Sequence, residues 1–173
     1  MNDFGVVTEA GAVRFERVLP GPIERVWSYL TESEKRGTWL ATGDMDLRPG
    51  GKATLTWDNS RLTSEKEAPP KYKKHEGAHS ATWTVVRVEK PRLLVCMWPM
   101  QIGETEVTFE LSERGKDVVL VLTHSRLDRQ TMLSVGPGWH AHLAVMEERL
   151  RGVEPQPFWT NISRLAPEYA KRV

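Results

Sequence analysis

An α+β fold, in which an antiparallel sheet is closed by one long helix near the C-terminus, is predicted by three observations. Over residues 81–123, apolar and polar side chains alternate in runs separated by turn-forming residues. From Gly138 the period lengthens, and Trp139, Leu143, Met146 and Leu150 recur at i, i+4, i+7 and i+11. Ahead of both, an alternating run at 13–19 passes through Pro20-Gly21-Pro22 into Ile23, Val26, Trp27 and Leu30, the spacing of a short amphipathic helix.

The elements follow in order from local chemistry. In the first strand Val13 and Phe15 oppose Arg14 and Glu16, and Pro22 suits a helix's first turn. A second helical turn at 33–37 has Ser33 or Thr31 as cap and Gly37 as terminator. Residues 44–57 read as a hairpin: Pro49-Gly50-Gly51 makes the turn, and Ala53, Leu55 and Trp57 alternate with Lys52, Thr54 and Thr56. The stretch 59–75 is charged, contains Pro69-Pro70 and shows neither period, so it is a long exposed loop of the kind that serves as a lid. Strands at 81–88, 93–98, 104–111 and 117–123 then form an antiparallel meander. The closing helix runs from Gly138 to Gly152, with Pro137 near its start. Phe158, Trp159, Ile162, Leu165 and Tyr169 in the tail 153–173 form an amphipathic stretch expected to pack back on a core at 13–152, giving one domain over 1–173.

Composition narrows the function. With 24 Lys+Arg against 23 Asp+Glu there is no basic field for phosphates, which argues against nucleic acid as a partner. A hydrophobic content of 39% with 7 Trp is enough to fill a core, which argues against disorder. Cys96, the one cysteine, can form no internal disulfide, and no zinc-type spacing accompanies it. The opening residues 1–9 lack a basic and apolar leader, and no apolar run reaches the roughly 20 residues of a membrane span. A cytoplasmic protein without membrane insertion is expected.

The order strand, two short helices, antiparallel strands and long closing helix is that of the helix-grip fold, a curved sheet wrapped around its last helix. Three strings sharpen the likeness: residues 22–31 (PIERVWSYLT) followed by Trp39, then Asp46-Leu-Arg-Pro-Gly-Gly51, then Gly138-Trp-His-Ala-His-Leu143. In these the chain resembles the START/Bet v 1-like (SRPBCC) superfamily, and within it the branch similar to the C-terminal domain of the activator of Hsp90 ATPase (AHSA1-like). The resemblance spans about 13–152. It implies a cavity between sheet and long helix for a hydrophobic small molecule, such as a lipid, sterol or polyketide, with chemistry in a minority of members. Hsp90 co-chaperones of this kind carry an additional N-terminal domain for which 173 residues leave no room, so Hsp90 is not expected as a partner.

Periodicity nominates the cavity wall: Trp139, Leu143 and Met146 on the helix, and Leu55, Trp57, Trp83, Val85, Val107 and Phe109 on the strands. Residues 93–98 are apolar on both faces, which leaves the side taken by Cys96 and Trp98 open; Trp98 is kept as a candidate. The same pattern also fits a filled core, although several indoles with N–H groups to satisfy suit a partly polar cavity better. His140 and His142 leave a helix about 200° apart, so they cannot chelate one ion, and neither metal nor cofactor is expected. His142 adjoins the apolar stripe. His124, at the end of the last strand, is the best acid/base candidate, with Tyr29 as a second candidate for a cavity acid, although no orienting carboxylate is assignable.

The leading expectation is therefore binding of a hydrophobic or aromatic molecule, oriented by His124, His142 and indole N–H groups. A cyclase-, dehydratase- or hydrolase-like enzyme and a protein-interaction module using the aromatic tail are the rivals. A homodimer through the sheet face or an edge strand is open. Lys71-Tyr-Lys-Lys-His75 could attract an anion, but Glu65, Glu67 and Glu76 dilute it.

Overall fold

The computed structural model describes residues 3–8 and 10–173, so the leader reading over 1–9 lies partly outside the described residues. A short strand β1 (Val6–Thr8) turns into β2 (Ala12–Pro20), which is followed by helices α1 (Ile23–Thr31) and α2 (Ser33–Gly37). Then come β3 (Lys52–Trp57), β4 (His79–Glu89), β5 (Leu93–Met100), β6 (Gly103–Arg114) and β7 (Asp117–Ser125), and finally α3 (Arg129–Arg151) and α4 (Phe158–Ala170). The strands form one antiparallel sheet in the order β1-β2-β7-β6-β5-β4-β3. This is the helix-grip arrangement, with α3 as the gripped helix.

Alternation decides which strand residues face α3. On β7 Val118, Leu120, Leu122 and His124 are buried, and on β6 Thr105, Val107, Phe109 and Leu111 are. On β5 Leu94 and Cys96 point inward, which resolves the two-sided apolar run; Trp98 continues their row and is half-buried. A register shift between Val85 and Arg87 breaks the ladder of β4 and leaves Val86 exposed. The expected hairpin at 44–57 is partial: β3 is its one full strand, touched from the preceding segment by single bridges at Thr42–Thr56 and Met45–Ala53.

The closing helix begins nine residues earlier than Gly138. Asp128 caps it, its carboxylate accepting the Thr131 N–H at 2.7 Å, and Pro137 lies inside rather than at the start. Proline there removes only the N–H that would bond the Leu133 carbonyl, and the helix continues to Gly152, which takes a left-handed conformation (φ 72°) as its C-terminal stop. Next to the proline, Gly136 lets α4 approach: a methyl group at this position would sit 2.9 Å from the Tyr169 ring. Phe158, Trp159, Leu165 and Tyr169 are buried by that packing, so the tail presents no aromatic face to solvent.

One buried cation holds the 31–43 segment. Arg36 is 2% exposed and has no carboxylate in contact; its guanidinium donates to the carbonyls of Ala41 (3.1 Å), Leu30 (3.3 Å), Thr31 (3.0 Å) and Gly43. Burial lowers its pKa to about 10, which still leaves it charged at neutral pH. Replacing it strips four buried carbonyls of their donor. Arg36→Ala is expected to lose about 3–5 kcal/mol in urea unfolding, with Arg36→Lys recovering part of that loss; a loss under about 1 kcal/mol for Arg36→Ala would contradict this role.

Candidate functional site

Trp139 stands in the middle of α3 with its indole N–H facing the sheet, where an acceptor offsets the cost of burying it. His124 provides one, its Nδ1 lying 3.0 Å from Trp139 Nε1. Because Nδ1 accepts, the imidazole proton is on Nε2, which donates to Thr105 Oγ1 at 2.8 Å; Thr105 in turn donates to the Trp98 carbonyl at 2.8 Å. The relay contains no charge. His124 is fully buried, and burial lowers its pKa to about 4, so it remains neutral at physiological pH.

Rings pile up beside this relay. The Trp98 indole stacks on His124 (centroids 5.3 Å apart, planes 13°) and on Trp57 (5.4 Å, 14°), and Trp57 stacks on His79 (5.7 Å, 11°). Trp139 meets Trp98 edge-on at 6.3 Å. Between the pile and α3 lies a cavity of about 200 Å³. Trp57, Trp98, Trp139, Leu40, Met100 and Val135 supply most of its apolar wall, while Asn59, His75, His79, Ser134 and His142 add polar groups. Gly138 also lines it, and a methyl group added there would meet nothing within 4 Å, so this position leaves open space at the wall.

His142 is the histidine that α3 contributes to the cavity, alongside His75 and His79. Its Nδ1 donates to the Trp39 carbonyl at 2.7 Å, which leaves Nε2 as an acceptor without its proton. Burial pushes its pKa down to about 4, against the stabilising pull of that carbonyl. Trp39 is itself fixed by its indole N–H to the Tyr29 carbonyl at 2.8 Å. His140 leaves the opposite flank of α3, pairing with the Tyr169 hydroxyl at 3.0 Å. Tyr169 also accepts the Gly5 N–H at 2.8 Å.

Of the wall residues nominated by periodicity, Trp57, Trp98, Trp139 and His142 line this cavity. Leu55, Trp83, Val85, Val107, Phe109, His124, Leu143 and Met146 do not line it; they are at most 3% exposed and lie in the core. Strand alternation identifies the inner face but not which stretch of that face the helix leaves uncovered. His124 has both ring nitrogens engaged and no access to the cavity, a poor arrangement for proton transfer. Tyr29 and Cys96 are likewise off the wall, and burial drives the Cys96 thiol up to about 12. Among the described residues no three His, Cys, Asp or Glu side chains form a group that could hold a metal ion.

Sequence reasoning passed over Leu40, Asn59, His75, His79, Met100, Ser134, Val135 and Gly138. Val135 had a usable signal: with the helix begun at Asp128, Val135, Trp139 and His142 fall at i, i+4 and i+7. The 59–75 stretch is an anchored strap. The Leu62 carbonyl accepts from Arg149 (2.9 Å), Thr63 Oγ1 accepts the Phe158 N–H (3.1 Å), and Tyr72 stacks on Trp159.

A family model described as "Activator of Hsp90 ATPase homolog 1-like protein" matches residues 20–151. The solution structure of the protein encoded by gene BPP1335 of Bordetella parapertussis is similar at 44% identity and a TM-score of 0.85, covering 99% of this chain and 91% of that one. The crystal structure of CalU16 from Micromonospora echinospora is similar at 25% identity and TM-score 0.71, covering 98% and 94%. A conserved protein of unknown function from Enterococcus faecalis, 15% identical with TM-score 0.68, covers 100% of this chain and 93% of its own and shares the fold. No curated protein matches the chain.

Three histidines, His124, His140 and His142, are all held near a pKa of about 4, chiefly by burial. Their ordinary value is near 6.5, so between these limits the unfolded chain binds more protons than the folded one, and stability is lost as pH falls from about 6.5 toward 4. Urea unfolding at pH 5 is expected to show a loss on the order of 1–2 kcal/mol per histidine relative to pH 7.5. An unchanged unfolding free energy over that interval would show that these rings accept protons while folded.

Proposed function

The chain belongs to the Activator of Hsp90 ATPase homolog 1-like family, a branch of the START/Bet v 1-like superfamily, and we propose that it uses this fold to bind a small flat aromatic molecule in the cavity between sheet and α3. The observation that carries the reading is a cavity walled by the indoles of Trp57, Trp98 and Trp139 beside a helix position, Gly138, where an added methyl group would meet no neighbour. The faces of Trp57 and Trp98 are taken up inside the pile, so it is the ring edges that are left to meet a ligand ring in edge-to-face contact, and burial of aromatic surface supplies the affinity. At about 200 Å³ the space is smaller than drug-sized sites and suits a ligand of one or two rings.

His142 orients such a ligand through its unprotonated Nε2, which takes a hydrogen bond from a hydroxyl or N–H. Its low basicity favours this role over proton abstraction at neutral pH. A two-ring ligand of about ten non-hydrogen atoms, at roughly 0.6 kcal/mol per atom, would reach a Kd in the tens of micromolar.

Calorimetric titration with 2-naphthol tests this directly. We expect binding in that range to the unaltered chain and its loss in Gly138→Leu. The variant should keep or gain thermal stability, because leucine is the better helix former and the space is open. No heat of binding in the unaltered chain, or equal binding in a folded Gly138→Leu, would overturn the proposal.

A further inference from the structure

A second space adjoins the inner cavity. His75 and Ser134 line the inner cavity on one side and this space, of about 430 Å³, on the other, between the turn Pro70–His75, the first half of α3 and α4. The outer space has an apolar floor that includes Leu133, Pro137 and Ile162, and its rim carries Lys71 and Lys74. No Asp or Glu lines it.

The fold sharpens the modest basic excess of this stretch, in which Glu65, Glu67 and Glu76 offset part of the Lys and Arg charge. Glu65 is drawn away to the start of α4, where it accepts the Thr160 N–H and hydroxyl at 2.8 Å each. Glu76 turns back to the Ala68 N–H at 2.7 Å and the Lys73 ammonium at 2.8 Å, and Glu67 lies near Lys73 as well. Lys66 is occupied by the Thr63 carbonyl at 2.8 Å. Lys71 and Lys74 remain: among the described ion pairs neither has a carboxylate, and Lys71 is held only over the Tyr72 ring, 5.4 Å from its centre. Both are exposed at the rim of an apolar groove. Two unpaired ammonium groups there favour an anion whose remainder is buried.

We infer that the occupant is an aromatic carboxylic acid, its rings in the inner cavity and its carboxylate in the outer one between Lys71 and Lys74. The inference rests on the aromatic-binding reading above and adds to it the acid group, the direction in which the ligand lies and the residues that select it.

A series of 2-naphthyl acids with one to four carbons between ring and carboxylate, each compared with its uncharged primary amide, tests it by titration at 50 mM and 500 mM salt. At least one acid should bind about five- to tenfold more tightly than its amide at low salt, with the difference shrinking at high salt. In Lys71→Ala/Lys74→Ala, which alters only exposed side chains, that preference should vanish while amide affinity stays the same. Amides that equal their acids throughout the series, or an acid preference that survives the double substitution, would overturn the inference and leave the inner site standing. Binding of neither acid nor amide would overturn both.

Discussion

The hydrogen bond from the Trp139 indole to His124 is the contact on which the arrangement around it depends. An indole carried by the central helix is buried against a sheet at lower cost when its N–H is met, and meeting it with an imidazole fixes that ring's tautomer. The tautomer then dictates a donor toward Thr105, and the threonine hydroxyl is turned to the Trp98 carbonyl. One contact thus joins α3 to β7, β6 and β5 without introducing a charge. Because the rings of Trp98 and Trp57 stack in continuation of His124, the same contact holds the aromatic wall upright around an empty space. Close packing would ordinarily fill such a space, and its persistence needs stiff walls.

The opposite wall is secured by different chemistry. Arg36 gathers the carbonyls at the end of α1 and in the following segment, and Trp39 and Leu40 leave that cluster in a fixed direction. The Trp39 carbonyl then receives His142, so the second polar tie of α3 is again a histidine facing main chain or side chain in neutral form. A buried cation surrounded by carbonyl dipoles avoids the need for a buried carboxylate and keeps the cavity free of negative charge.

Legibility in the sequence followed the strength of each periodic signal. The alternation of Val118, Leu120 and Leu122, or of Val107, Phe109 and Leu111, fits a half-buried strand and no amphipathic helix, and the strands lie where it puts them. The start of α3 was hidden because Pro137 normally marks a first turn; the cap formed by Asp128 and Thr131 is a weaker pattern, found only when the helix is already suspected. At the site, alternation marks an inner face but treats Leu55 and Trp57 as equals, although one is core and the other wall. What separates them is the position of α3 over the sheet, a product of long-range contacts. Asn59 and His75 come from an aperiodic strap and carried no local signal at all.

The pairing of β2 with β7 carries a consequence for how the chain reaches this state. Val13 lies opposite His124, and Leu19 opposite Val118, so the sheet's N-terminal part can be stitched in only after nearly all the intervening chain has emerged. Until then α1 lacks β7, one of the strands it packs on, and loop closure over so long a span is entropically slow. Synthesis on the ribosome therefore allows a stage in which the β3–β6 meander is assembled while β2 still lacks its partner strand. The last strand to be made unites the two halves, and it is the strand that brings His124.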